Sequence, residues 1–357
     1  MMYNIGKHGD IMRKLASIQI IKEVKEHPNA DRLEILSFNN IGWQCVSRKG
    51  EFKSGDFCIY FELDSLIPMK PWSQFLAKKD KPEKPVRLRT VRLRGELSQG
   101  LAMPVNILMA YKDQLDEWPL VEGTDVTEIL GITKYEPIIP ACLNGEVKGR
   151  RPSWLPKTDS DRIQSFPELI GEFQGKLVVI AQKIDGTSCS ISYREGEKDV
   201  CGRNWSLKEG DNSYWKVAKK YDVLGKLKEI SEKTGINYGI QGECIGPGIQ
   251  KNRLALSDHE LWVFDVRNLN EGKYLGFYER KEFCDRLQLQ MVPTLQICRF
   301  EFATIDELLE LAKGKYSSGQ HQEGIVIRPV HEFYSNVLKG RASFKVINNE
   351  FLEEGGD

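Results

Sequence analysis

Apolar and polar positions alternate in short bursts through the first hundred residues. Leu15–Ile21 and Arg32–Phe38 read as strands, and His27-Pro-Asn-Ala-Asp31 between them supplies the Pro and Asn of a turn. Two more strand-like runs follow, Trp43–Val46 and Phe57–Phe61, with Lys49-Gly50 and Ser54-Gly-Asp56 as punctuation. Short strands at this spacing predict a small barrel or sandwich. Beyond residue 158 the pattern is mixed. Trp215–Thr234 repeats at helical spacing and stops before Gly235, and Tyr278–Leu289 and Ile305–Leu311 are amphipathic at the same spacing. Strand-like runs lie at 176–182, 188–194, 238–244, 261–266, 324–328 and 343–347. The expected fold class is α+β, a β-barrel followed by a domain of helices and sheets.

Between the two patterns, Glu136–Thr158 is dense in Pro, Gly and charge, with Arg150-Arg-Pro152 and Leu155-Pro156, and reads as a linker. The expected organisation is a first domain over 1–140, a linker over 141–157 and a second domain over 158–357; a length of 357 residues suits two domains. With 51 basic and 51 acidic residues the net charge is zero, so bulk charge does not announce a nucleic-acid partner. One cluster does stand out: Lys78, Lys79, Lys81, Lys84, Arg87, Arg89, Arg92 and Arg94 against only Asp80 and Glu83. Its arginines alternate with Val, Leu and Thr, as on a strand with one basic face. Two readings stay open, an edge strand whose charges block unwanted pairing and a face that contacts phosphates.

Apolar runs such as Lys176–Ala181 fall far below the ~20 residues a membrane span needs, and Met1–His8 lacks the apolar core of a secretory signal. Eight cysteines with no C-x-x-C spacing then predict a reduced, cytoplasmic protein. The five histidines show neither H-x-x-H nor H-E-x-x-H, which speaks against a zinc site.

The chemistry concentrates at predicted strand ends. Lys183-Ile-Asp-Gly-Thr-Ser188 follows the run Lys176–Ala181. A lysine becomes a nucleophile when desolvation or neighbouring cations free its amine. Attack on a nucleotide α-phosphate would give a lysyl phosphoramidate, with Gly186 allowing a sharp turn beside the ligand and Asp185 available to a metal or its waters. Alone, K-x-D-G is a common strand–turn ending. It is joined here by Glu243 in Gln241-Gly-Glu-Cys-Ile-Gly-Pro-Gly248, Phe264-Asp265 at the end of Leu261–Asp265, Glu323 in Glu323-Gly-Ile-Val-Ile-Arg-Pro329, and Lys345 in Ala342–Ile347. Three carboxylates (Asp185, Glu243, Glu323) and two lysines (Lys183, Lys345) compose a metal-and-phosphate site.

The order K-x-D-G, G-E-x-x-G, F-D, E-G-I-V-I-R and a last lysine strand resembles the motif series of the covalent nucleotidyltransferases, over residues 158–352. That superfamily contains DNA ligases, RNA ligases and capping guanylyltransferases. Thr158-Asp-Ser-Asp-Arg-Ile-Gln164 and Gly242–Asn252 resemble nick-sealing RNA ligases in particular, and His27–Ile35 resembles the first turn of tRNA-binding OB-type domains. DNA ligases and capping enzymes carry an OB domain after the last lysine motif, and type-two RNA ligases a helical one; here twelve residues follow Lys345. With its OB candidate first, and Leu93-Arg-Gly-Glu-Leu-Ser-Gln-Gly-Leu101 within it, the chain resembles the ATP-dependent RNA ligases that have an N-terminal OB domain and a C-terminal nucleotidyltransferase domain with antiparallel sheets.

The resemblance implies a site and a reaction. Lys183 takes AMP from ATP; Asp185, Glu243 and Glu323 hold the water shell of Mg²⁺ or Mn²⁺; Glu243 also contacts the ribose. Phe264 stacks on adenine, Lys345 holds the α-phosphate, Arg162 reaches the triphosphate tail and Arg203 lies near the ribose or the RNA strand. Phe264 beside Trp262 also reads as an ordinary core aromatic, and Arg203 as a hairpin arginine. The family often has K-x-K in the last motif where this chain has Ser343 first; Lys339 or Arg328 is a candidate substitute. The implied product is an RNA sealed from 3′-OH and 5′-phosphate ends, at nicks in duplex RNA or at broken RNA ends, by a monomer with no membrane partner. A DNA ligase, a capping-type enzyme, and a non-catalytic tRNA- or RNA-binding protein are the alternatives.

Overall fold

The computed structural model describes residues 14–77, 81–114, 121–135 and 145–355. Lys78, Lys79 and Asp80 of the basic cluster, and 136–144 of the predicted linker region, lie outside them. The chain divides into two units, one of residues up to Ile138 together with Gln164–Pro167, the other of Ile139–Ile163 and everything from Glu168 onward. Among the described residues no helix is long and apolar enough to cross a membrane.

The first unit is built on a five-stranded antiparallel sheet of OB type, in the order Gln44–Arg48, Leu33–Phe38, Ala16–Glu26, Phe57–Phe61, Leu101–Pro104. The long strand Ala16–Glu26 serves both halves. Its first half pairs with Phe57–Phe61 and its second with Leu33–Phe38, and the register shifts between Ile21 and Glu23. Such an irregularity bends a strand and raises its twist, which lets a sheet curl toward a barrel. Two cores result, one around Ile18, Ile59, Phe61 and Leu108, the other around Ile21, Leu36, Trp43 and Tyr60.

The basic cluster is not one strand. Val86–Arg87 joins a small sheet with Ser65–Ile67 and Thr133–Lys134, whereas Val91–Leu93 forms a separate hairpin with Glu96–Ser98. Buried Leu88 lies between them. Arg87 is bonded to Asp64 and stacks 4.3 Å from the Tyr135 ring centroid, while Arg89, Arg92 and Arg94 are exposed. Alternation of charge carried the expectation of a single basic face, but Arg87 and the later arginines fall in separate small sheets.

The second unit holds two sheets. A seven-stranded antiparallel sheet runs Val147–Arg150, Trp205–Leu207, Glu197–Cys201, Thr187–Arg194, Tyr238–Ile245, Glu260–Asn268, Lys273–Tyr274. Val147–Arg150 thus makes part of the predicted linker an edge strand; its glycine and charges fit either role. Helices Ser213–Lys220 and Val223–Thr234 contribute Trp215, Val217 and Leu227 to a core with Ile191, Ile240 and Val263 of this sheet. The single helix expected over 215–234 is two, because Asp222 takes a left-handed conformation (φ 46°). The Asn212 side chain caps the first by accepting from the Trp215 N–H.

The second sheet runs Asp161–Arg162, Phe344–Ile347, Gly324–Pro329, Leu177–Lys183, Thr294–Arg299, antiparallel except for the first pair. Its register decides the site. Lys183 lies opposite Gly324, Ala181 opposite Val326, and Val326 opposite Lys345, which is beside Arg162. Cross-strand partners share a face and alternate residues along a strand return to it. Lys183, Lys345 and Arg162 therefore stand on one face of one sheet.

Candidate active site

Lys183 is the last residue of its strand, and buried Ile184 anchors the chain before the Asp185-Gly186 turn. Gly186 is required there for space: a Cβ would lie 2.5 Å from Ile245 Cγ2 and 2.6 Å from the Cys244 carbonyl. Gly324, opposite Lys183, has φ 146° and passes so close to Val346 that a Cβ would meet its carbonyl. That close passage places the preceding Glu323 against the lysine, with Lys183 Nζ 2.7 Å from Glu323 Oε1. Glu243 comes from the other sheet, opposite Ser188 and Trp262. Thr158 bonds the Ser188 hydroxyl at 2.8 Å, which fastens the segment leading to Arg162 beside that strand.

The charges are strongly coupled. Burial alone would lower the Lys183 pKa, but Glu323, Glu243 and Asp185 together outweigh it and raise the pKa above its ordinary value. Burial pushes the Glu243 carboxyl up to about 8, with Glu323 and Asp185 adding to the rise against the pull of Lys183. Asp185 rises to about 6 for the same first reason, restrained by Arg253 and Lys183. Lys345 moves the other way, down to about 8, through burial and then the charges of Lys183 and Arg162. Without a bound cation the site cannot ionise all its carboxylates comfortably near neutral pH. Asp185, Glu243 and Glu323 fit a divalent ion chemically, as hard oxygen donors around surplus negative charge. Among the described residues no three His, Cys, Asp or Glu side chains form a group that could hold a metal ion.

This electrostatic state has a measurable consequence. The folded state holds the Glu243 proton more tightly than the unfolded chain does, so its contribution to stability is complete below pH 4.5 and is lost as the pH rises through about 8. In chelator, without nucleotide, Glu243→Gln should melt progressively higher than the wild type as the pH goes from 5 to 8.5. Parallel melting curves across that range would show that Glu243 is not buried beside the other carboxylates.

Phe264 is half-buried and packs against the core cluster that includes Ala181, Ile184 and Val292, while also walling a small cleft with Val179, Thr294 and Arg328. It is both core and cleft. Arg203, at the turn between Glu197–Cys201 and Trp205–Leu207, donates to Asp159 at 2.9 Å and remains half-exposed; it joins the site's rim through Asp159. Ser343 bonds Ser160 at 3.0 Å. The two candidate substitutes for a second lysine lie in different settings. Lys339 is exposed on a turn at φ 49°. Arg328 is drawn into a buried cluster around Asp265, where Arg341 makes two 2.7 Å bonds and Arg280 and Arg328 approach to 3.3 and 3.5 Å. Although burial opposes it, those guanidinium groups hold the Asp265 carboxyl well below the usual carboxylate range.

Two residues behind the site had no signal in the sequence. Arg253, 2% exposed, places Nε 3.3 Å from Asp185 Oδ2, and its Nη1 is bonded to Glu354 at 2.7 Å. The Phe351 ring stacks 4.5 Å from its guanidinium. In Gln250-Lys-Asn-Arg253 it reads as one more basic loop residue. Tyr316 lies in a Gly- and Ser-rich loop that no motif touches.

The RNA ligase family model matches residues 176–347, and an OB-fold domain model matches residues 15–105. The chain is 34% identical to the RNA ligase of Naegleria gruberi in its structure with PPi, with a TM-score of 0.80 and coverage of 96% of this chain and 99% of that one. A lysine-to-methionine mutant of the same enzyme with AMP and Mn matches at 33% identity and a TM-score of 0.81, over 97% of this chain and 100% of that chain. A lysine-to-alanine mutant with ATP and Mn matches at 33% and 0.80, over 96% and 99%. The chain belongs to the RNA ligase family. The OB-fold match lies ahead of the RNA ligase match, and likeness to an RNA ligase over nearly the whole chain supports an RNA ligase rather than a DNA ligase, a capping enzyme or a non-catalytic RNA-binding protein.

Proposed function

We propose that this RNA ligase seals 3′-OH and 5′-phosphate ends at nicks in duplex RNA, using ATP and Mg²⁺ or Mn²⁺, through AMP bound covalently to Lys183. The observation that carries the reading is the lysine itself: a strand-end amine 2.7 Å from Glu323, flanked by Asp185 and Glu243, with Lys345 and Arg162 on the same face of its sheet. The Naegleria ligase, described with ATP, AMP, Mn and PPi, supports the choice of nucleotide and metal class.

The Lys183 amine attacks the α-phosphorus of ATP. A nitrogen–phosphorus bond forms, the bond to the β-phosphate oxygen breaks, and pyrophosphate leaves. The ammonium must first lose a proton. The three carboxylates that oppose this loss are the ones assigned to the metal's water shell; once they are neutralised, burial favours the free amine. When bound, the metal supplies positive charge against that developing on the α-phosphate. Arg162 reaches the triphosphate tail, Lys345 holds the α-phosphate, Phe264 stacks on adenine, Glu243 contacts the ribose, and Arg203 lies by the ribose or the incoming strand. Next, a 5′-phosphate oxygen of the RNA attacks the same phosphorus, releasing Lys183 and leaving an A(5′)pp(5′)RNA end. The 3′-OH then attacks that 5′-phosphate and expels AMP. Alignment and charge neutralisation by the lysines are what these steps ask of the protein.

The test is incubation with α-labelled ATP, with and without divalent metal, followed by nicked RNA and DNA duplexes. Labelled protein only when metal is present, and transfer of label to an RNA nick, are the expected results. Full labelling in excess chelator would exclude the assignment of Asp185, Glu243 and Glu323 to a metal.

A further inference from the structure

We propose that the hydroxyl of Tyr316 is a positioning group for the reaction, tying the backbone of the lysine motif to that of the Glu323 motif. The proposal rests on the reading of Lys183 as the nucleophile. Tyr316 is 3% exposed, and its ring packs among Ala181, Ile184, Ile245, Leu254 and Val292. Its hydroxyl donates to the Lys183 carbonyl at 2.8 Å and accepts from the Asp185 N–H and the Glu323 N–H, each at 3.0 Å. A phenol has one proton to give and two lone pairs; all are used, and every partner is the backbone of a proposed site residue.

The place explains the need. At Lys183 and Gly324 the ladder between the two strands ends, so the Lys183 carbonyl and the N–H groups of Asp185 and Glu323 at that end need a partner from elsewhere. Left unpaired away from water they would cost free energy and invite local rearrangement. The tyrosine oxygen meets three of them at one point. It thereby fixes where the Lys183 and Asp185 backbones end relative to Glu323, and so the 2.7 Å approach between Nζ and the Glu323 carboxylate. The loop that presents it is closed by Tyr316 N–H to the Gln320 carbonyl at 2.8 Å and Gly319 N–H to the Tyr316 carbonyl at 2.9 Å. Tyr316 touches neither nucleotide nor metal by this assignment and acts only through the residues it holds.

Tyr316→Phe keeps the ring and its packing and removes only the oxygen. At saturating ATP and Mn²⁺ the single-turnover rate of AMP transfer to Lys183 is expected to fall on the order of 10- to 100-fold, as the loss of one or two buried hydrogen bonds at the reacting geometry implies. Half-saturating ATP should stay close to the wild-type value, because the proposed nucleotide contacts Phe264, Lys345 and Arg162 are intact. The fraction of molecules that finally become labelled should also be unchanged. Tyr60→Phe is the control: that hydroxyl is equally buried and donates to the Gln99 carbonyl at 2.6 Å, in the other unit, so its loss should lower the melting temperature and leave the rate alone. A wild-type rate in Tyr316→Phe, a loss confined to the labelled fraction, or equal slowing in Tyr60→Phe would each overturn the proposal. Wild-type protein that never takes up label would instead overturn the functional reading beneath it.

Discussion

Lys183→Ala is expected to carry no covalent AMP after incubation with ATP and metal, and to seal no unadenylylated RNA nick. The experiment is sharper than it first looks, because a second lysine stands on the same face of the sheet. Lys345 is pushed down to about 8 by burial and by its cationic neighbours, whereas the surrounding carboxylates raise Lys183. Judged by free amine alone, Lys345 is the better nucleophile of the metal-free protein. The assignment of Lys183 rests instead on its position at the strand end among three carboxylates, which become neutralised when the site is loaded. Intact-mass measurement of the alanine variant, with peptide mapping of the wild-type adduct, separates the two. AMP on Lys345 in either protein would exchange the roles of the lysines. Lys183→Arg should be as inactive as alanine, since a guanidinium stays protonated, and both variants should still close a nick supplied with a pre-formed A(5′)pp(5′) end more readily than one without it.

Much of this site was legible because its residues sit at strand ends, where short-range pattern is most informative. The runs before Lys183, after Glu323 and around Lys345 are apolar and rich in Val and Ile, and these and the run 238–244 that contains Glu243 each became a strand of nearly the expected length. What escaped depends on pairing across the chain. Thr294–Arg299 is largely exposed and alternates poorly, so nothing local marks it as the edge of the second sheet. Asp222 looks like a polar position within one helix, yet its left-handed conformation makes two. Arg328 reads as a cation near phosphates because it follows Glu323 by five residues, and its register keeps it on the face of Lys183, but what pairs with it there, Asp265, comes from a distant strand that no local pattern points to. Arg253 and Tyr316 are separated from Asp185 by 68 and 131 positions. No spacing rule reaches that far, and in a single sequence a buried arginine and a loop tyrosine look like any others.

Removing the N-terminal unit should separate capture of AMP from sealing. A protein that begins at Gly145 keeps Val147–Arg150 paired with Trp205–Leu207 and retains every proposed nucleotide contact from Arg162 to Lys345. It should still label Lys183. Labelling should be slower, for a specific reason: Gln164–Pro167, next to Arg162 in the chain, belong to the first unit. There the Gly42 N–H donates to the Gln164 carbonyl at 2.8 Å, and the Ser165 hydroxyl links the Trp43 indole to Glu62. Truncation leaves this segment without those partners and loosens the approach to Arg162. Sealing should suffer far more, because the exposed Arg89, Arg92 and Arg94 go with the unit. If they meet RNA phosphates, each contact contributes a slope of roughly one in log affinity against log salt. The comparison is single-turnover closure of a pre-adenylylated RNA nick by full-length and truncated protein at several salt concentrations, below saturation. The full-length enzyme should be faster by orders of magnitude at low salt, and its advantage should shrink as salt rises. Changing Arg89, Arg92 and Arg94 to Gln in the full chain should reproduce the shallower salt slope while leaving Lys183 labelling intact. Equal closure rates at every salt concentration would mean that the OB-fold unit does not hold the nick, and that its tie to Gln164–Pro167 is its contribution to the enzyme.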